Sequence, residues 1–397
     1  MTGDGRRFEL PGTVRARMPE ETWRVLAPRL ADYGITRVAD VTGLDYFGIP
    51  VYVAVRPAAT TLTTSQGKGM TPLLAKLSAV MEGIEVAVAE TYEPANSVTA
   101  SAAELELPYQ VTDLSLARPS IVTPYSAVTW CQAETALGGK PSWLPVDLVA
   151  LDGRAGLGWA PKSFVSSSNG LAGGNTLAEA QVHALLELIE RHCVAELPRL
   201  DVTQRRYVDP DTVDDTLCAS LIDRFRAAGC WVEIVELARF TGIPVFAVYL
   251  WEPGMPDLYG GSGCHRVPGL ALSRALTEAA QSRLSVISGT RDDIELGAYR
   301  DRRRHETAPR TPAAGARTWQ DVTNGSRPER HVSFEEEFSS LARSVTALTD
   351  RPVLSVDLTP AGEDFAVCRV AAPGLDFEAR HKFQRPDGLR TDAEARG

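Results

Sequence analysis

A Gly-rich turn feeding a helix that carries Glu-x-x-Glu occurs twice in this chain, about a hundred residues apart. The first copy reads SQGKGMTPLLAKLSAVMEGIE (Ser65–Glu85) and the second SNGLAGGNTLAEAQVHALLELIERH (Ser168–His192). In each, the first Glu of the pair (Glu82, Glu187) stands 13 residues after a glycine (Gly69, Gly174) and seven after an alanine (Ala75, Ala180). Residues three apart are neighbours on a helix surface, so Glu82/Glu85 and Glu187/Glu190 each make a two-carboxylate clamp. Helices meeting along these faces would crowd four carboxylates together, which is costly unless the acids are protonated or hard cations are present. The pattern therefore points to Mg2+, and Mg2+ beside Gly-rich turns points to a nucleotide.

Periodicity supports the helices. Leu77, Met81, Ile84 and Val88 share one face of a helix over Leu73–Glu90, and Val182, Leu186, Ile189 and Cys193 share one face of a second over Leu177–Ala195. The glutamates lie at the borders of these apolar stripes, where a ligand can still reach them. A third helix, about Pro268–Ser288, turns Leu276, Ala280 and Ile287 inward and carries Arg274, Glu278 and Gln281 along another flank. A helix is expected to start at Pro19-Glu20-Glu21-Thr22, and another to run from Phe334 to Thr349. Strands are expected at Val51–Val55, Val353–Asp357 and Phe365–Val370, with two more between Cys230 and Tyr249 around a turn at Thr241-Gly242. Ile121–Ala150 reads as short strands and turns. Residues 1–14 read as a flexible arm. Residues 298–330, rich in Arg, Pro, Thr and Gly with a basic cluster at Arg300 and Arg302–Arg304, read as an exposed loop or linker.

Several function classes drop out. A net charge of −10 argues against a nucleic-acid surface, and no apolar run is long enough to cross a bilayer. MTGDGRRFELPG has no apolar stretch of the secretory type. The six cysteines form no Cys-x-x-Cys pair, so disulfides and structural zinc are not expected and a reducing cytoplasm fits. There is no Gly-x-Ser-x-Gly or His-Glu-x-x-His, and His183, His192, His265, His305, His331 and His381 lack metal-ligand spacing and read as structural. Gly67-Lys68-Gly69 fails as a P-loop because Gly69 stands where Ser or Thr is required.

Together with ITRVADVTGLDYFGIPVYVAVRP (Ile35–Pro57) and ALSRALTEAAQSRLSVISGTRDD (Ala271–Asp293), the two acidic segments resemble, in order, the YcaO superfamily of ATP-dependent peptide-modifying enzymes. The likeness runs from about Arg15 to about Asp293 with a weaker tail. It implies an α+β fold, helices packed on mostly antiparallel sheets, with the pocket between two pseudo-equivalent halves. The ATP-binding core is expected over 15–297, and 331–397 as the C-terminal part of the same domain with a polar tail.

By position, the resemblance assigns Glu82, Glu85, Glu187 and Glu190 to Mg2+. It assigns Arg15, Thr22, Asn175, Glu179, Arg191, Arg274 and Glu278 to the nucleotide. The implied reaction adds a nucleophile to a peptide amide carbonyl and phosphorylates the resulting oxyanion with ATP; loss of phosphate leaves an azoline, a thioamide or an amidine. Phosphoryl transfer depends on positioning and charge neutralisation, so no protein nucleophile is required. Azoline-forming members end in a Pro-x-Pro-x-Pro tail, whereas FQRPDGLRTDAEARG holds only Pro386. The expectation is therefore thioamide formation on a ribosomally made precursor peptide, with a TfuA-like or leader-binding partner and a homodimeric enzyme. An azoline-forming cyclodehydratase, a macroamidine-forming cyclase, a non-catalytic nucleotide-binding accessory protein and a small-molecule ATPase or kinase are the alternatives.

Overall fold

The computed structural model describes residues 6–117, 120–151, 163–237, 240, 242–290, 315–325 and 331–376. A hairpin of β1 (Phe8–Leu10) and β2 (Thr13–Arg15) leads into α1 (Pro19–Leu26). Next, β3 (Arg37–Asp40), β4 (Val51–Val55) and β5 (Thr64–Lys68) form a three-stranded antiparallel sheet, followed by α2 (Pro72–Glu90). Then come β6 (Ser97–Ala100), β7 (Val128–Thr135), β8 (Ser142–Pro145), the short α3 (Val146–Val149), β9 (Leu171–Gly174) and α4 (Leu177–Val194). The chain continues through β10 (Arg206–Val208), α5 (Thr216–Ala227), β11 (Trp231–Glu236), β12 (Val245–Glu252), β13 (Met255–Cys264) and α6 (Pro268–Ser288). Finally α7 (Trp319–Gly325) and α8 (Phe334–Thr349) precede β14 (Leu354–Asp357) and β15 (Ala366–Ala371). Strands β10 to β13 form a four-stranded antiparallel meander, and β6-β7-β14-β15-β9 a second large sheet in which β8 pairs with β7. The α+β expectation holds.

Three strand–helix units carry the site: β5 with α2, β9 with α4, and β13 with α6. Each strand lies so close to its helix that only glycine fits. A Cβ on Gly69 would lie 2.6 Å from Ala75 N, one on Gly174 2.7 Å from Ala180 N, and one on Gly263 2.7 Å from Ala275 N. Gly67 and Gly261 are tighter still, at 2.0 Å from Ala79 N and 2.2 Å from Ala279 N. The spaced Gly and Ala of the sequence repeat are thus the two sides of one backbone contact. Helix starts repeat as well: Thr71 and Thr176 cap α2 and α4 by accepting from Leu74 N and Glu179 N.

The units close into a ring, since α2 also packs on β9, α4 on β13 and α6 on β5. The two halves expected from sequence are therefore joined by a third member. Its mark in the sequence is Gly261-Ser262-Gly263 facing Ala275 and Ala279 as Gly67-Lys68-Gly69 faces Ala75 and Ala79, with Ser282 and Ser285 where the other copies have their acids. Three apolar clusters support the ring: one under α2, one between α4 and α8, and one between α5, α6 and β12. A buried Arg283 ties α6 to the Asp45-Tyr46 loop, 3.0 Å from Asp45 and 2.8 Å from Glu252.

Two boundary expectations are corrected. Residues 6–14 are not a loose arm: most of them build the β1–β2 hairpin, turned at Gly12 with φ of 76°. The segment 298–330 is not an exposed loop throughout, because α7 buries Trp319 and Val322 and Arg317 bridges to Val208. Arg300, Arg302–Arg304 and Thr241 lie outside the described residues.

These contacts make a prediction. Gly67→Ala forces β5 off α2 and costs at least about 3 kcal/mol, the upper range for overpacking. Gly43→Ala, where an added Cβ meets nothing within 4 Å, leaves denaturant midpoints unchanged. Equal midpoints for both variants would refute the close-contact account.

Candidate functional site

Two open cavities share a wall inside the ring. The first, about 850 Å³, is bounded by apolar Leu26, Leu77, Met81 and Leu171 together with Thr22, Asn175 and Glu179. The second, about 1160 Å³, is strongly charged: Lys68, Glu187, Glu190, Arg191, Arg274 and Glu278 line it beside Gly69. Arg15, Ser78, His183 and Glu187 border both. Of the eleven residues singled out from sequence, ten line these two cavities. Glu82 lines neither; its carboxylate accepts from Gln66 N at 3.1 Å.

Glu179 is fully buried and anchors the partition. It accepts from Arg15 Nη1 (3.2 Å), Ala16 N (3.0 Å) and Asn175 N (3.2 Å), while Thr22 donates to Asn175 Oδ1 at 2.7 Å. This chain of bonds fastens the hairpin and α1 onto the start of α4. Arg15 Nη1 also lies 2.7 Å from His183 Nε2. A guanidinium can only donate, so the ring nitrogen accepts and the imidazole is neutral. Burial, then the charges of Arg15 and Arg274, hold the His183 pKa well below the usual range, in agreement. Sequence reasoning set His183 aside as structural. Its place four residues after Glu179 and four before Glu187, on the flank of α4 that carries the acids, was the signal that it belongs to the site.

At each junction of the ring a polar group of one unit meets the next. Gly173 N donates to Glu85 Oε1 at 2.6 Å, and Ser262 Oγ donates to Glu190 Oε1 at 2.6 Å. Gln281 Nε2 donates to Gln66 O at 2.9 Å, and Lys68 Nζ lies 2.6 Å from Glu278 Oε2. Burial, reinforced by Glu82 and Glu187, pushes the Glu85 carboxyl up to about 8. Burial also raises Glu190, against the pull of Arg191. Arg191 sits 3.5 Å from an oxygen of both Glu187 and Glu190, yet its buried Nε and Nη1 make no hydrogen bond.

This chemistry fits a magnesium–polyphosphate ligand. Carboxylates that resist ionisation alone gain from a hard dication, and unsatisfied guanidinium N–H groups suit phosphate oxygens. Among the described residues no three His, Cys, Asp or Glu side chains form a ready metal cage. Such an arrangement suits Mg2+, which keeps waters and takes part of its shell from phosphate.

The match to known proteins agrees. The family described as YcaO cyclodehydratase, ATP- and Mg2+-binding, matches residues 66–376. The chain belongs to the YcaO family. An uncharacterized protein of Mycobacterium tuberculosis is 36% identical over 376 residues, covering 94% of this chain and 85% of its own. A protein in the tfuA 3′ region of Rhizobium leguminosarum bv. trifolii is 32% identical, covering 93% and 90%. The Escherichia coli ribosomal protein S12 methylthiotransferase accessory factor YcaO is 26% identical, over 52% of this chain and 36% of its own length.

Among solved structures, a heterocyclase in complex with substrate and cofactor superposes with a TM-score of 0.73 at 21% identity over 94% of this chain, which spans 54% of that one. The YcaO of Methanopyrus kandleri bound with AMPPCP and Mg2+ superposes with a TM-score of 0.69 at 24% identity, covering 92% of both chains. ATP and Mg2+ are thus the cofactors of this family. No helix among the described residues is long and apolar enough to cross a membrane.

The state of Glu85 gives a prediction. With its folded pKa near 8 against an ordinary 4.5, it is protonated at pH 7 in the ligand-free protein and ionised in the unfolded chain. Its contribution to stability is complete below about pH 4.5 and lost as pH rises through about 8. Binding of ATP with Mg2+ at pH 7 therefore expels a proton, seen as a calorimetric heat that varies with buffer ionisation enthalpy. Glu85→Gln removes that dependence and flattens the fall in Tm between these pH values. Buffer-independent heats in the unaltered protein would contradict the assignment.

Proposed function

We propose that this protein activates a backbone amide of a ribosomally made precursor peptide by ATP-dependent O-phosphorylation and installs a thioamide. The observation that carries the reading is the charged cavity itself. Glu190, its carboxyl raised by burial, and the unsatisfied Arg191 N–H groups meet there beside Glu187, Lys68 and Arg274. A site of that make-up works through positioning and charge neutralisation, as phosphoryl transfer demands. Glu85, Glu187 and Glu190 would hold Mg2+, while Glu82, bonded to Gln66 N, would act on Glu85 only through its charge. Arg191, Arg274 and Glu278 would face the phosphates, and Arg15, Thr22, Asn175 and Glu179 the nucleoside in the less polar cavity. Residues 15–297 and 331–397 would act as one domain.

The reaction balances without a protein nucleophile. Hydrosulfide adds to the amide carbon, and the γ-phosphoryl group passes from ATP to the resulting amide oxyanion as ADP leaves. Breaking the carbon–oxygen bond then releases that oxygen, with the hydrosulfide proton, as hydrogen phosphate and leaves a carbon–sulfur double bond. Support for sulfur over an internal nucleophile comes from the rhizobial relative, whose gene lies in a tfuA region and whose match covers nearly the whole chain. The test is intact-mass spectrometry of a precursor peptide incubated with the protein, ATP, Mg2+ and sulfide, with and without a TfuA-like partner. A gain equal to exchanging one oxygen for one sulfur is expected. Loss of one water would instead assign an azoline or amidine. An unchanged peptide in every mixture would favour the accessory role carried in the name of the E. coli relative.

Glu187→Gln and Glu190→Gln are each expected to abolish Mg2+-dependent ATP consumption while leaving the circular-dichroism spectrum intact. Unchanged turnover in both would sink the assigned pocket.

A further inference from the structure

The three junctions of the ring differ in one respect. Aligned on their glycines, Gly67-Lys68-Gly69, Ala172-Gly173-Gly174 and Gly261-Ser262-Gly263 place Lys68, Gly173 and Ser262 at equivalent positions. Each meets an acid of the helix packed against it from the neighbouring unit. Gly173 and Ser262 offer Glu85 and Glu190 neutral donors, which leave the carboxylate charge available to a cation. Lys68 offers Glu278 an ammonium, at 2.6 Å. The third junction is therefore the one whose strand residue is itself a cation.

We propose that Lys68 is a catalytic residue of the phosphoryl transfer proposed above, its ammonium leaving Glu278 to meet the oxygens of the transferred phosphoryl group. The inference rests on that reading of the site. Lys68 lines the same charged cavity as Arg191 and Arg274. Its backbone is fixed, because Gly67 and Gly69 on either side are pressed against α2, whereas its four-carbon stem and rotatable donors are free to change partner. The other role for the pair, a clasp holding β5 to α6, is already filled. Gln281 bonds to Gln66 O, Ser285 to Gln66 Oε1, and Thr64 to Thr290 O at 2.7 Å. A partly exposed ion pair adds little to such a contact. The P-loop motif fails here, but its lysine reaches the cavity from a strand instead.

As the amide oxyanion attacks, its negative charge passes through the phosphoryl group that Lys68 faces to the leaving ADP oxygen. A contact made chiefly there lowers kcat more than it raises KM. The test uses the full chain with precursor peptide, sulfide, ATP and Mg2+. Lys68→Met is expected to lower kcat by about 10²–10³-fold, the loss seen on removing one preorganised donor, with KM for ATP and Tm close to those of the unaltered protein. Lys68→Ala is expected to regain activity, saturably, on adding ethylammonium. Full kcat in Lys68→Met, or a loss that follows Tm and that no amine restores, would overturn the proposal and leave Lys68 as a clasp. An unaltered protein that consumes no ATP with any peptide would instead overturn the function on which the proposal rests.

Discussion

Everything in this fold depends on how closely three strands approach three helices. Backbone lies against backbone where Gly67, Gly69, Gly174, Gly261 and Gly263 face Ala75, Ala79, Ala180, Ala271 and Ala279. Without side chains between them, the helix flanks next to these contacts stand at the ring's centre rather than a side-chain length away. Glu85, Glu187 and Glu190 consequently line the two adjoining cavities, whereas Glu82 turns to Gln66 N. Packing density, a property of apolar and glycine contacts, here determines the electrostatics of the site.

The cost of that geometry is visible in the titrating groups. Glu85 and Glu190 lie beside other carboxylates, and burial makes them resist ionisation, while Arg191 keeps N–H groups without a hydrogen bond. Burial and crowding of this kind stabilise a fold only weakly, or oppose it. They make sense as preorganisation, in which charges are held in place for a ligand that completes them. The hairpin that carries Arg15 seals the partition through Glu179 and His183, so the less polar and the charged cavity stay distinct yet continuous.

Much of this was legible in the sequence, for stated reasons. The acidic helices were readable because Glu-x-x-Glu bordered clean apolar stripes, and ten of the eleven chosen residues do line the paired cavities. The third unit was overlooked because Ser282 and Ser285 stand where the other copies have their acids and its glycines sit before a longer connection. His183 was missed because a single histidine carries no spacing signal; its neighbours on α4 did. Lys68 was dismissed with the P-loop, since a motif test asks for loop geometry and says nothing of a strand. The β1–β2 hairpin and α7 were hidden by short, polar stretches whose strand and helix character comes from the surfaces they cover.

The central claim is that the ring gathers one magnesium–nucleotide site. It is tested most directly by a crystal structure of the protein grown with a non-hydrolysable ATP analogue and Mn2+, whose anomalous signal locates the cation. The account predicts the cation beside Glu85, Glu187 and Glu190, the phosphates against Arg191 and Arg274, and the base in the cavity of Leu77, Met81 and Asn175. An analogue bound outside the ring, or a cation away from both acidic pairs, would contradict it.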